Sequence, residues 1–301
     1  MPITEQLKDR IQHFANLPTL PQVATRLMNM INNPLTSASD VAFIVGQDLS
    51  LSAKVLRLAN SAFYGIPRTI TSINNAVVIL GLKVINTMVL SLTVFDMFPE
   101  DRRIAALFNR KAFWLHSLSC GLIAKFLATR IRKVVLFDPE EAFCAGLLHD
   151  IGKVVMEQYL HDDFHLALEF AAGNKIPIHQ AESCQLGYAH TDIAEWLTEN
   201  WSLPSEIRLS LIFHHDPASS IQCRDIVSLC HLADWLCYET GMVIDGDFQP
   251  PHLQEDCIKL LKLQPQDIDA IKELLPSELE KTSIFFDVTS EKPHRAPLRG
   301  T

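Results

Sequence analysis

Five stretches of this sequence place imidazole or carboxylate side chains in otherwise apolar surroundings. His116 stands in Phe113-Trp114-Leu115-His116-Ser117-Leu118, and the adjacent pair His149-Asp150 in Leu147-Leu148-His149-Asp150-Ile151-Gly152-Lys153. His190 opens His190-Thr191-Asp192-Ile193-Ala194, His214-His215 close the run Leu209-Ser210-Leu211-Ile212-Phe213, and Asp234 lies within Leu232-Ala233-Asp234-Trp235-Leu236. An ionisable group carried into an apolar core costs several kcal/mol unless a partner or a metal compensates it. Any one of these residues alone fits a hydrogen-bonded core position. Neutral imidazole nitrogens and carboxylate oxygens are also the donors that hold manganese, iron, cobalt or zinc, and residues on several helices can converge at one point of a bundle. Neighbouring residues leave a helix about 100° apart, so a pair such as His149-Asp150 can straddle one ion or touch two, the carboxylate being the natural bridge.

The elements that must position these residues read as helices throughout. Ile3, Leu7, Ile11 and Phe14 space a short amphipathic helix over 1–18, Pro21 starts the next, and Asn33-Pro34 stops it. Ser39-Asp40 and Ser50 are expected to cap two further helices, with a loop from Ala62 to Ser72. Helices are then expected from Ser72 to Leu80 and Leu82 to Phe98 about Gly81, followed by Arg110–Arg130, Pro139–Leu160, His165–Gly173, Pro177–Gly187, His190–Trp201, Pro204–His215, Asp225–Glu239, Gln254–Leu263 and Gln266–Leu275. No stretch sustains the two-residue alternation of a strand. The fold class is therefore all-α: a multi-helix bundle with an N-terminal helical lobe over 1–100, a helical core over 101–286, and a polar, proline-containing tail over 287–301 expected to be disordered.

Composition narrows the function classes. With 48% hydrophobic and 20% charged residues in 301, the chain is globular and can bury a sizeable core. A net charge of −9 does not suit a polyanion-binding surface, and the helix after Gly81 has one lysine and no arginine to read DNA. Neither DNA nor a membrane is an expected partner: in the most apolar stretch, Ala76 to Phe98, Lys83 and Asp96 leave too short an uncharged run to span a bilayer. The seven cysteines contain no C-x-x-C, and no secretory signal is read at the start, so a reducing cytoplasm is expected. Cys223, Cys230 and Cys237 recur every seven residues and read as small buried apolar groups on one helix face.

The order His116, His149-Asp150, Asp234 resembles the H…HD…D pattern of the HD superfamily of metal-dependent phosphohydrolases. His190 and the His214-His215 doublet are similar to the HD-GYP branch, which hydrolyses cyclic di-GMP on two or three metal ions. From Leu17 to Leu275 the chain most resembles the HDOD family. Its marks are Leu17-Pro18-Thr19-Leu20-Pro21, the segment from Asp48 to Ala62, Ala76 to Leu82, and Glu182 through His190 to Trp201-Ser202-Leu203-Pro204. The resemblance implies an HD-domain-like bundle and a ligand set of His116, His149, Asp150, His190, His214, His215 and Asp234 for one or two divalent ions (iron, manganese, cobalt or zinc), with Asp150 as the bridge. No Gly-Tyr-Pro follows His215, and Ala112 stands where the HD-GYP branch can supply a glutamate, which argues against a third ion.

HDOD proteins are signalling and regulatory proteins, so the resemblance implies a bacterial signal-transduction module with an unidentified signalling protein or nucleotide as partner. The alternative is an active phosphohydrolase or phosphodiesterase on a cyclic dinucleotide or other nucleotide, with Asp150 and Lys153 as catalytic residues and metal-assisted attack of water on phosphorus. Lys153, one turn from His149, would stabilise phosphate charge, or else is a solvated lysine. His161-Asp162-Asp163-Phe164-His165 has metal-ligand spacing but polar neighbours and reads as an exposed helix start. The pairs His179 with Glu182 and His231 with Asp234 are candidate supports for the ligands, or ordinary polar residues.

Overall fold

The computed structural model describes residues 19–31, 33–98, 108–131, 137–241 and 249–290. The helix expected over 1–18, the break at Pro99 to Arg103 and residues 291–301 of the expected tail lie outside them. All α-helices among the described residues, in chain order, are α1 (Gln22–Met30), α2 (Ala38–Val45), α3 (Leu49–Ala59), α4 (Ile73–Leu80), α5 (Leu82–Met97), α6 (Arg110–Arg130), α7 (Pro139–Leu148), α8 (Ile151–Tyr159), α9 (His161–Asn174), α10 (Ile178–Leu186), α11 (His190–Trp201), α12 (Ser205–Phe213), α13 (Arg224–Glu239), α14 (Glu255–Leu260) and α15 (Pro265–Ser290). No strand occurs among the described residues, and the fold is all-α. They form two compact units, one of 22–95 with 280–290, the other of 19–21 with 96–279.

In the first unit two helix starts are set by side chains two residues earlier than expected, while Ser72 caps α4 as expected. Ser37, rather than Ser39, caps α2: its Oγ accepts from Asp40 N at 3.2 Å while Asp40 Oδ2 accepts from Ser37 N at 2.9 Å. Asp48, rather than Ser50, caps α3 by accepting from Leu51 N. Asn60 closes the following loop, donating to Ile70 O at 2.8 Å and accepting from Ile70 N at 2.7 Å. From Ile85 to Phe95 every residue of α5 is buried, as a core helix should be. Phe285 of α15 packs on Phe63 and Phe95.

The second unit carries the ligand-type residues. Its apolar core joins Ile123, Leu127, Ile226, Leu229, Leu232, Leu236, Leu261 and Ile271 from α6, α13, α15 and the end of α14. Helix α6 is long and apolar enough to cross a membrane by length and composition alone, but 67% of that window is buried inside the protein, which marks a core helix. It packs closely against α7 because both are glycine at the crossing. A Cβ on Gly146 would lie 2.7 Å from Cys120 O, and one on Gly121 2.9 Å from Phe143 O.

Three expectations need correction. The single helix over Pro139–Leu160 is two, α7 and α8, with His149 and Asp150 in the turn between them; Asp150 sits at φ −99°, ψ 11°, outside helical values. Helix α9 begins at His161, four residues before the expected start. The last helix does not stop at Leu275 but runs through Pro276 to Ser290, past the expected start of the tail at Asp287. A proline lacks one donor and does not by itself end a helix whose neighbouring turns are anchored, here by buried Ile271, Leu275 and Phe285.

Candidate metal centre

Five separate pieces of backbone bring the candidate donors together in the second unit. His116 projects from the middle of α6, His149 and Asp150 from the α7–α8 turn, His190 from the first position of α11, His214 and His215 from the end of α12, and Asp234 from the middle of α13. All are buried except His215, which is partly exposed. Donor atoms of His116, His149 and Asp150 lie within 4.8 Å of one another, as do those of Asp150, His190, His214 and His215. Asp150 belongs to both groups.

Its two oxygens face different sets. Asp150 Oδ2 lies 3.2 Å from His149 Nε2 and 3.9 Å from His116 Nε2, whereas Oδ1 lies 3.1 Å from His190 Nε2 and 3.5 Å from His214 Nε2. Asp234 Oδ1 joins the first set, 3.2 Å from His116 Nε2 and 3.6 Å from His149 Nε2. His215 joins the second, its Nε2 3.2 Å from that of His190. All seven residues expected as ligands are thus in one cluster. Lys153 is buried with them and donates to Asp150 Oδ2 at 2.7 Å; it is not a solvated lysine.

Hydrogen bonds at the far side of the rings fix which nitrogen faces inward. His149 Nδ1 donates to Gly146 O at 2.7 Å, His214 Nδ1 to Leu211 O at 3.1 Å, and His190 Nδ1 to Glu182 Oε2 at 2.6 Å. With a proton committed to each Nδ1, the Nε2 lone pair of a neutral ring points at Asp150. His149 Nε2, His214 Nε2 and Asp150 Oδ1 are buried without a hydrogen-bond partner. Buried polar atoms are rarely left so, and donors of this kind converging around a shared carboxylate fit a divalent transition metal.

The second set depends on a close approach between α8 and α11. A Cβ on Gly152 would fall 2.0 Å from His190 O, so only glycine lets the His190 backbone reach this position. Glu182 on α10, fully buried, then accepts from His190 N at 2.9 Å as well as from its ring. The candidate pair His179 with Glu182 is therefore not formed in that way: His179 stacks on His215, ring centroids 4.0 Å apart and planes 17° apart. Nor does His231 pair with Asp234. Its Nδ1 donates to His214 O at 2.7 Å and its Nε2 accepts from Gln254 N at 3.1 Å, a fully satisfied core histidine that holds the end of α12.

Burial and charge divide the imidazoles. Burial alone would lower the pKa of His190, but the carboxylates of Glu182 and Asp150 outweigh it and push it up to about 9. His149 is likewise raised against its burial, by Asp150 above all. His214, with less compensation for burial, falls to about 4, and burial lowers His215 too. Asp150 overcomes burial through the neighbouring His149 and Lys153 and is held well below the usual carboxylate range. Behind the cluster, burial pushes the Cys120 thiol up to about 12; Cys230 and Cys237 are buried free thiols on α13, as expected, whereas Cys223, expected with them, is only partly buried and precedes the helix at its left-handed N-cap.

The His161 to His165 stretch is the first turn of α9. His161 is exposed, Asp163 accepts from Tyr188 Oη at 2.7 Å, and His165 faces Glu169 at 3.6 Å. Glu182, expected as a partner of His179, supports His190 instead, and Gly152 is the contributor that the sequence did not assign to the cluster. Glu182 and His190 lie on different helices with a turn at Gly187 between them, so no single helical repeat relates them, and Gly152 was read only as part of the motif.

Comparisons with known proteins agree with this architecture. The family model of the HDOD domain matches residues 17–217, and the chain belongs to the HDOD family. It is similar to a crystal structure of an HDOD domain protein of unknown function from Geobacter sulfurreducens, 26% identical, covering 94% of each chain, with a TM-score of 0.72. A candidate signal transduction protein of Marinobacter aquaeolei VT8 is 24% identical with a TM-score of 0.79, covering 97% of this chain and 63% of that one. A candidate phosphohydrolase of Shewanella amazonensis SB2B is 23% identical, covering 93% and 98%, with a TM-score of 0.72. At these identities the last two share the fold. An uncharacterized protein of Treponema pallidum (strain Nichols) is 24% identical over 280 residues; the chain spans about half the length of that relative, 52%, which covers 92% of this chain.

Proposed function

We propose that this HDOD protein is a regulatory module of bacterial signal transduction, built around a centre for two divalent metal ions. His116, His149, Asp150 and Asp234 would hold one ion; Asp150, His190, His214 and His215 would hold the other. The observation that carries the reading is the division of Asp150, one carboxylate oxygen facing each set of histidines. Iron, manganese, cobalt and zinc all suit nitrogen and oxygen donors. A cytoplasmic setting suits seven free cysteines, and the partner would be a signalling protein or a nucleotide. Metal analysis of the purified protein, and again after reconstitution with Mn²⁺ or Fe²⁺, is expected to approach two equivalents per chain. Less than about a tenth of an equivalent after reconstitution would overturn the reading.

A second reading, a phosphohydrolase or phosphodiesterase acting on a nucleotide, is favoured by Lys153, whose ammonium sits against the shared carboxylate. When bound, the ions would supply Lewis-acid polarisation of a phosphoryl oxygen and acidification of water. Lys153 would add positive charge for the phosphate, Asp150 would orient both sets of histidines, and substrate would enter beside His215, the partly exposed member of the cluster. Hydrolysis of cyclic dinucleotides and simple phosphodiesters by the wild type, lost in Asp150→Ala, would support catalysis. Two bound ions with no turnover would leave the regulatory reading alone.

A further inference from the structure

Helix α10 contributes no donor to the cluster, yet two of its side chains contact members of it. Glu182 has no exposed surface and accepts two hydrogen bonds from a single residue: the ring Nδ1 of His190 at 2.6 Å and its backbone N at 2.9 Å. A carboxylate carried into a core without a cation is costly. This one lies where it fixes both the rotation of the ring and the start of α11. Three residues earlier on the same helix, His179 stacks nearly parallel on His215 at 4.0 Å. Among the ring contacts of His215 this is the most nearly parallel, and its own Nδ1 is buried without a hydrogen-bond partner. His149 and His214 are oriented by backbone carbonyls three residues away in their own turns. His190 and His215 have no such local support.

We infer that Glu182 and His179 are positioning residues for the outer half of the centre: α10 acts as a splint that orients His190 by hydrogen bonding and His215 by ring stacking. The inference rests on the two-ion reading above. A carboxylate behind a metal-ligating imidazole fixes its tautomer and raises its basicity, and loss of such a partner typically weakens metal binding about 10- to 100-fold. Neither residue touches the inner set of His116, His149 and Asp234 in any hydrogen bond or ring contact, so the effect should fall on one ion of the two.

The test is a titration of chelator-stripped full-length protein with Mn²⁺, followed by calorimetry and by metal content after gel filtration. In the wild type two equivalents are expected. In Glu182→Gln, which keeps the shape but removes the charge, affinity for one equivalent should fall about 10- to 100-fold while the other stays within about twofold of wild type. In His179→Ala the same equivalent should weaken, and His179→Phe, which restores a stacking ring without a nitrogen donor, should recover it. Equal weakening of both equivalents in Glu182→Gln, or no weakening of either, would overturn the inference, as would failure of His179→Phe to recover binding. Absence of metal from the wild type would instead sink the two-ion reading on which it rests. Circular dichroism of each variant separates loss of fold from loss of an ion.

Discussion

On the Oδ2 side of Asp150, His149 is anchored by the carbonyl of Gly146, three residues back in the same chain turn; on the Oδ1 side, His190 is anchored by a carboxylate from another helix. The first side is also closed, with His116, His149 and Asp234 all buried, while the second ends at the partly exposed His215. Short-range anchoring survives small shifts between helices because anchor and ring move together. Anchoring across helices does not, since a shift of one element by a fraction of an ångström spoils hydrogen bonds with optimal distances near 2.9 Å. The inner side should therefore be robust and the outer side sensitive to how α8, α10, α11 and α12 pack.

Changes at the shared residue should abolish the difference between the sides, and so have the largest effect. Asp150→Ala removes the one carboxylate common to both, and metal uptake after reconstitution should drop to background; retention of one full equivalent would show that the sides do not depend on a common bridge. Gly152→Ala should separate them. Its new methyl would meet His190 O at 2.0 Å, and because the obstacle is backbone the cost should reach about 3 kcal/mol, the upper part of the overpacking range. Denaturant melts would read the lost stability, and metal content should show one ion lost from the outer side. Wild-type stability and two retained ions would mean that α11 moves aside freely.

A smaller effect concerns pH in protein stripped of metal. The folded pKa of His190 is raised from 6.5 to about 9, so its stabilising contribution is complete below 6.5 and disappears as pH rises through 9. His214 is lowered from 6.5 to about 4, so its contribution is present above 6.5 and is lost as pH falls through 4. The Tm of the stripped protein should peak near pH 6.5, and saturating metal, which needs all the rings neutral, should remove the decline toward pH 9. A Tm that climbs steadily from pH 6.5 to 9 without metal would contradict the raised His190. Least affected should be His165→Ala, which removes an exposed contact with Glu169 and an edge-on ring contact with His161. It should cost about 0.5 kcal/mol or less and leave both ions in place; loss of either ion would mean that the α9 start belongs to the centre after all.

The seven cluster residues were legible because ionisable side chains interrupt runs that are otherwise apolar, and the helices because their apolar positions recur at helical spacing. The turn that holds His149 and Asp150 was not legible. Leu147-Leu148 and Ile151 continue the apolar pattern on either side of it, and the two nearby glycines, Gly146 and Gly152, lie inside α7 and α8. Pro276 misled in the opposite direction, since its missing donor suggested an end where buried neighbours carry the helix onward. Glu182 was legible only in part: its i, i+3 spacing from His179 suggested a pair within one helix, whereas its partner is His190, which the start of α11 brings against it. The division of the donors into two sides follows from distances between segments, which local pattern does not contain.

The donors are also far apart along the chain, from His116 on α6 to Asp234 on α13. Any ion held by them acts as a cross-link closing loops of tens of residues, and it binds the assembled fold in preference to the unfolded chain. Each tenfold excess of free metal over its dissociation constant would then add about 1.4 kcal/mol to stability. If the centre holds metal as proposed, resistance to unfolding would become a gauge of the metal supplied to the protein.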